Sequence, residues 1–202
     1  MFPPLPPATR ALILINVCVS VLQQLAPRLM EGLFALWPAG SPLFEPWQLI
    51  TYAFLHAPWA HGGWTHLFFN MFALFMFGGA LERHWGGRRF VIFYLVCALT
   101  AALTQLMVQG SAGAAEPVIG ASGGVFGVLL AFAWYFPNQK LIVIPIPIPV
   151  PAWLLVTVYG LVELLYGVTG TQPGVAHFAH LGGMLGGALC ILFWRTRGPV
   201  GW

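Results

Sequence analysis

Six apolar stretches, separated by polar, glycine-rich or proline-rich segments, divide the chain over residues 8–26, 64–82, 90–109, 122–136, 152–168 and 175–195. A helix crossing the hydrocarbon core of a bilayer needs about 20 mostly apolar residues. The pattern predicts an all-α, polytopic membrane protein: a six-transmembrane-helix bundle forming one domain over 1–202. The fourth stretch is short, and the Gly/Ala-rich "GSAGAAEPVIGA" precedes it. Irregular backbone at membrane depth is tolerated only where protein buries it or a water cavity meets it. If that loop dips in from outside, Ser122 opens its helix below the outer surface. Arg10 ahead of the first apolar run resembles the start of a signal peptide, but no clear small-x-small cleavage site follows, and the run reads as a helix.

The connections are unequal. Between the first two stretches, Pro27 to Gly63 includes "GLFALWPAG" and "EPWQLITYAFLH". These are too apolar for a solvated loop, and Trp37, Trp47, Trp59 and Trp64 suit headgroup depth. The expectation is a half-submerged first loop. Between the fourth and fifth stretches, "PNQKLIVIPIPIPVPAW" cannot be helical, because each proline removes a donor and fixes its φ. It is expected to be an extended, rigid connector on the cytoplasmic side.

Composition agrees with the pattern. Hydrophobic residues make up 59% of the 202 residues and charged residues 6%, where a soluble domain carries about a quarter charged. With both termini in the cytoplasm, Arg10, Arg83, Arg88, Arg89, Lys140, Arg195 and Arg197 face inside and only Arg28 faces outside, as the positive-inside rule requires. So few basic residues assemble no nucleic-acid-binding face. Cys18, Cys97 and Cys190 each lie inside an apolar run and read as buried small residues. Aspartate is absent, which excludes a Ser-His-Asp triad and leaves five glutamates as the side-chain carboxylates.

Polar residues inside a bilayer are costly and mark functional candidates. They gather near the outer ends of three predicted helices. His66 and Asn70, in "HLFFN", are four apart and share a face. Ser122 opens the fourth helix, and His177 and His180 lie near the start of the sixth. Gly123 and Gly127 on the fourth, and Gly183 and Gly187 on the sixth, have small-xxx-small spacing, which lets helices approach closely. If these faces meet, His180 reaches Ser122 as a general base. The Ser122 amide, His66 and Asn70 then supply donors for an oxyanion. Taken alone, Ser122 reads as a helix cap or a small packing residue, and His180 as a hydrogen-bonded core histidine. The imidazoles of His56, His61, His66, His177 and His180 also allow a zinc or copper site, against which stand the absence of aspartate and of any outer-side cysteine. Glu163 is a lone carboxylate on the fifth helix, expected deeper than Ser122 and His180 and in a structural hydrogen bond.

Taken in order, these stretches resemble the rhomboid family of intramembrane serine proteases, in its compact six-helix bacterial form. "GASG" is similar to the family's nucleophile motif G-x-S-G, which places Gly120 and Ser122. "AHLGGMLGG" reads as A-H-x-x-G-x-x-x-G, with the catalytic histidine at His180 and with Gly183 and Gly187. "HLFFN" gives the oxyanion pair His66 and Asn70. "GGALERHWG" contains G-x-x-x-E-x-x-x-G, whose glutamate, Glu82, is expected to brace the first loop. The resemblance implies a Ser-His dyad, no cofactor and no metal, and as partners the lipid bilayer and transmembrane segments of other proteins, cleaved near the outer face of a bacterial cytoplasmic membrane. It implies structural support from Gly120, Gly123, Gly127, Phe126, Gly183, Gly187 and Glu82. Three positions depart from the family. Trp47-Gln48 stands where many members have Trp-Arg. "APWAHGGWT" lengthens the spacer before His66, which makes His61 a loop residue. Phe126 stands where some members have tyrosine, so it can stack on the catalytic imidazole but donates no hydrogen bond.

Overall fold

The computed structural model describes residues 4–59, 62–112, 116–143, 146–171 and 174–196. His61 and Arg197 lie outside the described residues. Five helices are long and apolar enough to cross a membrane. They are α1 (Pro7–Leu25), the rod of α4 (Gly63–Ala73) and α5 (Gly79–Trp85), α6 (Gly87–Ala112), α8 (Ala152–Thr169) and α9 (His177–Thr196). A single π-helical turn, Leu74–Gly78, joins α4 to α5. The remaining apolar helix, α7 (Ser122–Tyr135), has 14 residues. At 1.5 Å per residue it covers about 21 Å, against a hydrocarbon core of about 30 Å. The protein is an integral, multi-pass helical bundle.

Helix α9 is the most buried of the long helices and α8 the least. The reason lies in two glycine stripes. A β-carbon at Gly182 or Gly186 would run into Thr104 or Thr100 of α6, while one at Gly183 would overlap the Gly123 carbonyl of α7. At Gly127 it would overlap the Cys97 sulfur, with the Gly183 carbonyl at 3.0 Å. In lipid, helix association depends on close van der Waals approach, because lipid tails offer apolar surface as good as leucine. Glycine at these four positions lets α9 wedge between α6 and α7. Phe90, Phe93, Tyr94, Cys97, Val128 and Ile191 fill the core behind the contact, while Phe68, Phe69, Phe72, Leu161 and Leu165 point outward.

The first loop is built of short pieces: α2 (Pro27–Phe34), then α3 (Gln48–Thr51) running into a 3₁₀ turn, Tyr52–Phe54. Gln48 is fully buried; its amide donates to the Leu43 carbonyl at 2.8 Å, and its oxygen accepts from Trp37 N at 3.3 Å. The C-terminal end of α1 ties the loop down, with Gln23 Oε1 accepting from His56 N (2.9 Å) and Ser20 Oγ from the Trp59 indole (3.1 Å).

Glu82 does not brace this loop. Its carboxylate accepts from Ala8 N (2.9 Å), Thr9 N (2.6 Å) and Thr9 Oγ1 (2.7 Å), at the opposite end of α1. The physical reason is local. Pro6 provides no side-chain cap for α1, the first-turn amides lack intrahelical acceptors, and a carboxylate suits the positive end of a helix. At the same end of the bundle Arg89 lies over Trp194 (5.7 Å) and Arg195 over Trp134 (5.9 Å). The proline-rich connector is extended, as expected, but it is also paired. β1 (Lys140–Val143) and β2 (Ile146–Pro151) form an antiparallel hairpin with Ile142 opposite Pro149 and Lys140 opposite Pro151. Ala152 N donates to the Gln139 carbonyl. The alternation of a strand therefore turns the nitrogens of Pro149 and Pro151 away from β1, where a missing N–H costs nothing.

Gly183→Ala is expected to destabilise the bundle by on the order of 1–3 kcal/mol, the usual cost of overpacking, because backbone on α7 has nowhere to go. Gly32→Ala, with nothing within 4 Å of the new carbon, is the matched control. Thermal unfolding in detergent should show a lower midpoint for the first and no loss for the second.

Candidate active site

The segment entering α7 is held by the first loop. Leu36 and Val118 exchange backbone hydrogen bonds, each 2.9 Å, and Gly120 N donates to the Tyr52 carbonyl at 3.0 Å. Tyr52 in turn donates its hydroxyl to the Ala98 carbonyl of α6 (2.8 Å). Gly120 has φ +132, a conformation that L side chains rarely adopt. The turn there sets Ser122 as the first residue of α7, with its amide among the free donors of a helix N-terminus.

Across the glycine contact, His180 Nε2 lies 2.8 Å from Ser122 Oγ. The two residues come from different helices and 58 positions apart in the chain. Phe126, one turn below Ser122, stacks on the His180 ring with centroids 4.3 Å apart and planes 6° from parallel. On the opposite edge of the same ring, His180 Nδ1 lies 2.8 Å from Glu163 Oε2. That oxygen also meets His177 Nδ1 at 2.7 Å, and His177 Nε2 lies 3.1 Å from the Thr171 carbonyl.

Glu163 is thus in direct contact with the serine–histidine pair. It lies six residues before the C-terminal end of α8, and His180 three residues after the start of α9. At 1.5 Å per residue that is a difference of about 4.5 Å, which a glutamate side chain spans. A signal was present in the sequence. A carboxylate in an apolar run needs a partner, and the histidines on the next helix are the nearest candidates along the chain.

His66 lies against the turn before Ser122. A β-carbon at Gly120 would stand 2.9 Å from His66 Cε1 and 3.2 Å from Nε2, with Ser122 Oγ 3.7 Å from the same point. Asn70, one turn along α4, is buried and donates from Nδ2 to the His66 carbonyl at 2.9 Å. Among the described residues four of the histidines form two groups, while His84 packs against Tyr135 and Phe136. His56 and His66 pack ring to ring at 5.2 Å, while His177 and His180 share Glu163. The last three offer ligand atoms within 4.8 Å of one another, and in this arrangement they hydrogen-bond to each other.

A model of the Rhomboid domain matches residues 43–197, most of the chain and all of this site. The chain belongs to the rhomboid family. It is 30% identical over 78% of its length to RHOMBOID-like protein 4 of Arabidopsis thaliana, of which it covers 36%. It is 29% identical over 63% of its length to the rhomboid protease GlpG of Klebsiella pneumoniae, of which it covers 43%. With the rhomboid protease GluP of Bacillus subtilis the identity is 30% over 71% of this chain and 25% of the relative. The chain therefore spans less than half the length of these relatives.

Beside the rhomboid site, His56 has a fully buried ring whose two nitrogens meet no hydrogen-bond partner. Burial, reinforced by the neighbouring His66 imidazole, lowers its pKa to about 3. The unfolded chain therefore takes up a proton at His56 in a range where the folded protein does not. Stability should fall as pH drops from about 6.5 towards 3, by up to about 1.4 kcal/mol per pH unit from this group. Melting curves across that range should show a shallower acid slope for His56→Phe than for the parent.

Proposed function

We propose that the protein is an intramembrane serine endopeptidase that cleaves transmembrane segments of other membrane proteins near the outer face. The observation that carries this reading is the 2.8 Å contact between Ser122 Oγ and His180 Nε2, which two different helices bring together. Serine is a weak nucleophile until a base takes its proton, and imidazole is suited to that task near neutral pH. In the proposed sequence His180 Nε2 accepts the Ser122 proton as Oγ attacks a substrate carbonyl carbon. The Ser122 amide, His66 and Asn70 donate to the oxyanion. His180 then passes the proton to the leaving amine, whose C–N bond breaks. Water, activated by the same imidazole, releases the acyl group and restores Ser122.

A helical substrate hides its carbonyls in its own hydrogen bonds, so it must unwind locally before attack. Segments with helix-destabilising residues near the cut are the expected class. The basic residues Arg10, Arg83, Arg88, Arg89, Lys140 and Arg195 support cytoplasmic termini and an outward-opening site. The relatives GlpG and GluP come from bacteria, and a bacterial cytoplasmic membrane is part of the same proposal.

A fluorophosphonate probe tests the reading. It should label the parent protein and not Ser122→Ala, and labelling of His180→Ala should be nearly abolished while both variants still fold. His66→Ala and Asn70→Ala should each slow cleavage of a transmembrane substrate by about 10²–10³-fold, as for other oxyanion donors. Labelling that persists in Ser122→Ala would overturn the nucleophile assignment. A parent that captures a transmembrane client but takes no label would instead be a binding protein.

A further inference from the structure

Glu163 and His177 lie outside the serine–histidine pair, yet their hydrogen-bond geometry determines which protons the pair carries. An ionised carboxylate only accepts, and so does a backbone carbonyl. His177 faces Glu163 Oε2 with Nδ1 (2.7 Å) and the Thr171 carbonyl with Nε2 (3.1 Å). Glu163 and His177 therefore share one proton beyond the His177 Nε2–H. With that proton on His177, the pair is an imidazolium facing a carboxylate. A cavity of about 140 Å³, lined by Gln105, Tyr166, Thr171 and His177 among others, lies beside this imidazole. Glu163 is then an anion with Oε2 directed at His180 Nδ1 (2.8 Å). That contact requires Nδ1–H on His180. Neutral His180 then has a bare Nε2, the form that accepts a proton from Ser122.

We propose that Glu163, paired with a protonated His177, is a positioning residue that holds His180 in its Nδ1–H tautomer and stabilises the imidazolium formed when Ser122 loses its proton. The site is then a Ser122–His180–Glu163 relay with His177 as the counter-ion of the carboxylate. The stacked Phe126 orients the plane of the imidazole but leaves the choice of tautomer open, because its ring donates no hydrogen bond. No proton leaves Glu163 in the cycle. The Ser122 proton moves to His180 Nε2 and on to the leaving group, while Nδ1–H stays on His180 and is donated to the carboxylate. A purely structural role, in which Glu163 only ties α8 to α9, would make no demand on its negative charge.

The inference rests on the hydrolase reading, and the experiment separates the two. Fluorophosphonate labelling is followed at several probe concentrations to give the maximal rate and the half-saturating concentration. In Glu163→Gln the maximal rate should fall by about 10²-fold or more, with the half-saturating concentration within twofold. The corresponding change in a Ser-His-Asp triad lowers kcat by about 10⁴. Glu163→Asp should restore part of the rate. A parent that takes no label at Ser122 overturns the hydrolase reading together with the proposal. A labelled parent matched in rate by a folded Glu163→Gln overturns the proposal alone. Nitrogen-15 spectra of histidine-labelled parent protein keep the test open if the variant fails to fold. They should show His180 protonated at Nδ1 only and His177 at both nitrogens; an Nε2–H tautomer at His180, or a neutral His177, overturns the proposal. So would stoichiometric zinc in the purified parent that is lost in Glu163→Gln, since Glu163, His177 and His180 would then be metal ligands.

Discussion

Backbone-to-backbone approach of α7 and α9 is the constraint on which the site depends. Gly183 has no room for a β-carbon because the Gly123 carbonyl occupies that place. One turn further, Gly127 and Gly187 repeat the contact. Hydrophobic attraction between helices is nearly absent in lipid, so van der Waals contact at this range has to hold the pair. The same closeness carries His180 to within 2.8 Å of Ser122. A wider crossing would leave both side chains in place on their helices and out of each other's reach.

Several polar groups of the bundle follow a second rule, that leaving a hydrogen-bonding group to hydrocarbon is costly. Glu82 meets the unpaired amides at the start of α1. Gln48 serves three backbone groups of the first loop. Gly120 N and Val118 use that loop as their partner, so the first loop also fixes the turn into Ser122. Glu163 follows the same rule with two imidazoles. Because it rides on α8 and they ride on α9, these hydrogen bonds also set the spacing of the two helices, where α8 has little else buried.

Much of this could be read from the residues in order. Apolar runs near 20 residues marked the long helices, and the short fourth run marked α7. Glycines at four-residue spacing beside Ser122 and His180 marked the faces that could come together. Glu82 and Glu163 were harder to read. Both were visible as carboxylates in apolar surroundings, but a single sequence does not say which helix end or which imidazole lies within reach. The absence of aspartate excluded one kind of triad and was silent about glutamate in the same role. The hairpin was half legible, since prolines at alternate positions ruled out a helix without showing that a neighbouring strand would pair with the other edge.

The sequence by itself determined that the chain lives in a bilayer, where its helices begin, and which few polar side chains must be accounted for. These are properties of local composition and spacing, and a period of 3.6 residues assigns each side chain to a face. Only the tertiary structure decided the partners: Glu82 with the start of α1, Glu163 with His177 and His180, and His66 with the turn at Gly120. Partner choice depends on how the helices are rotated and offset against one another. Those few ångströms are set jointly by all the packed faces, and no single segment of the chain encodes them.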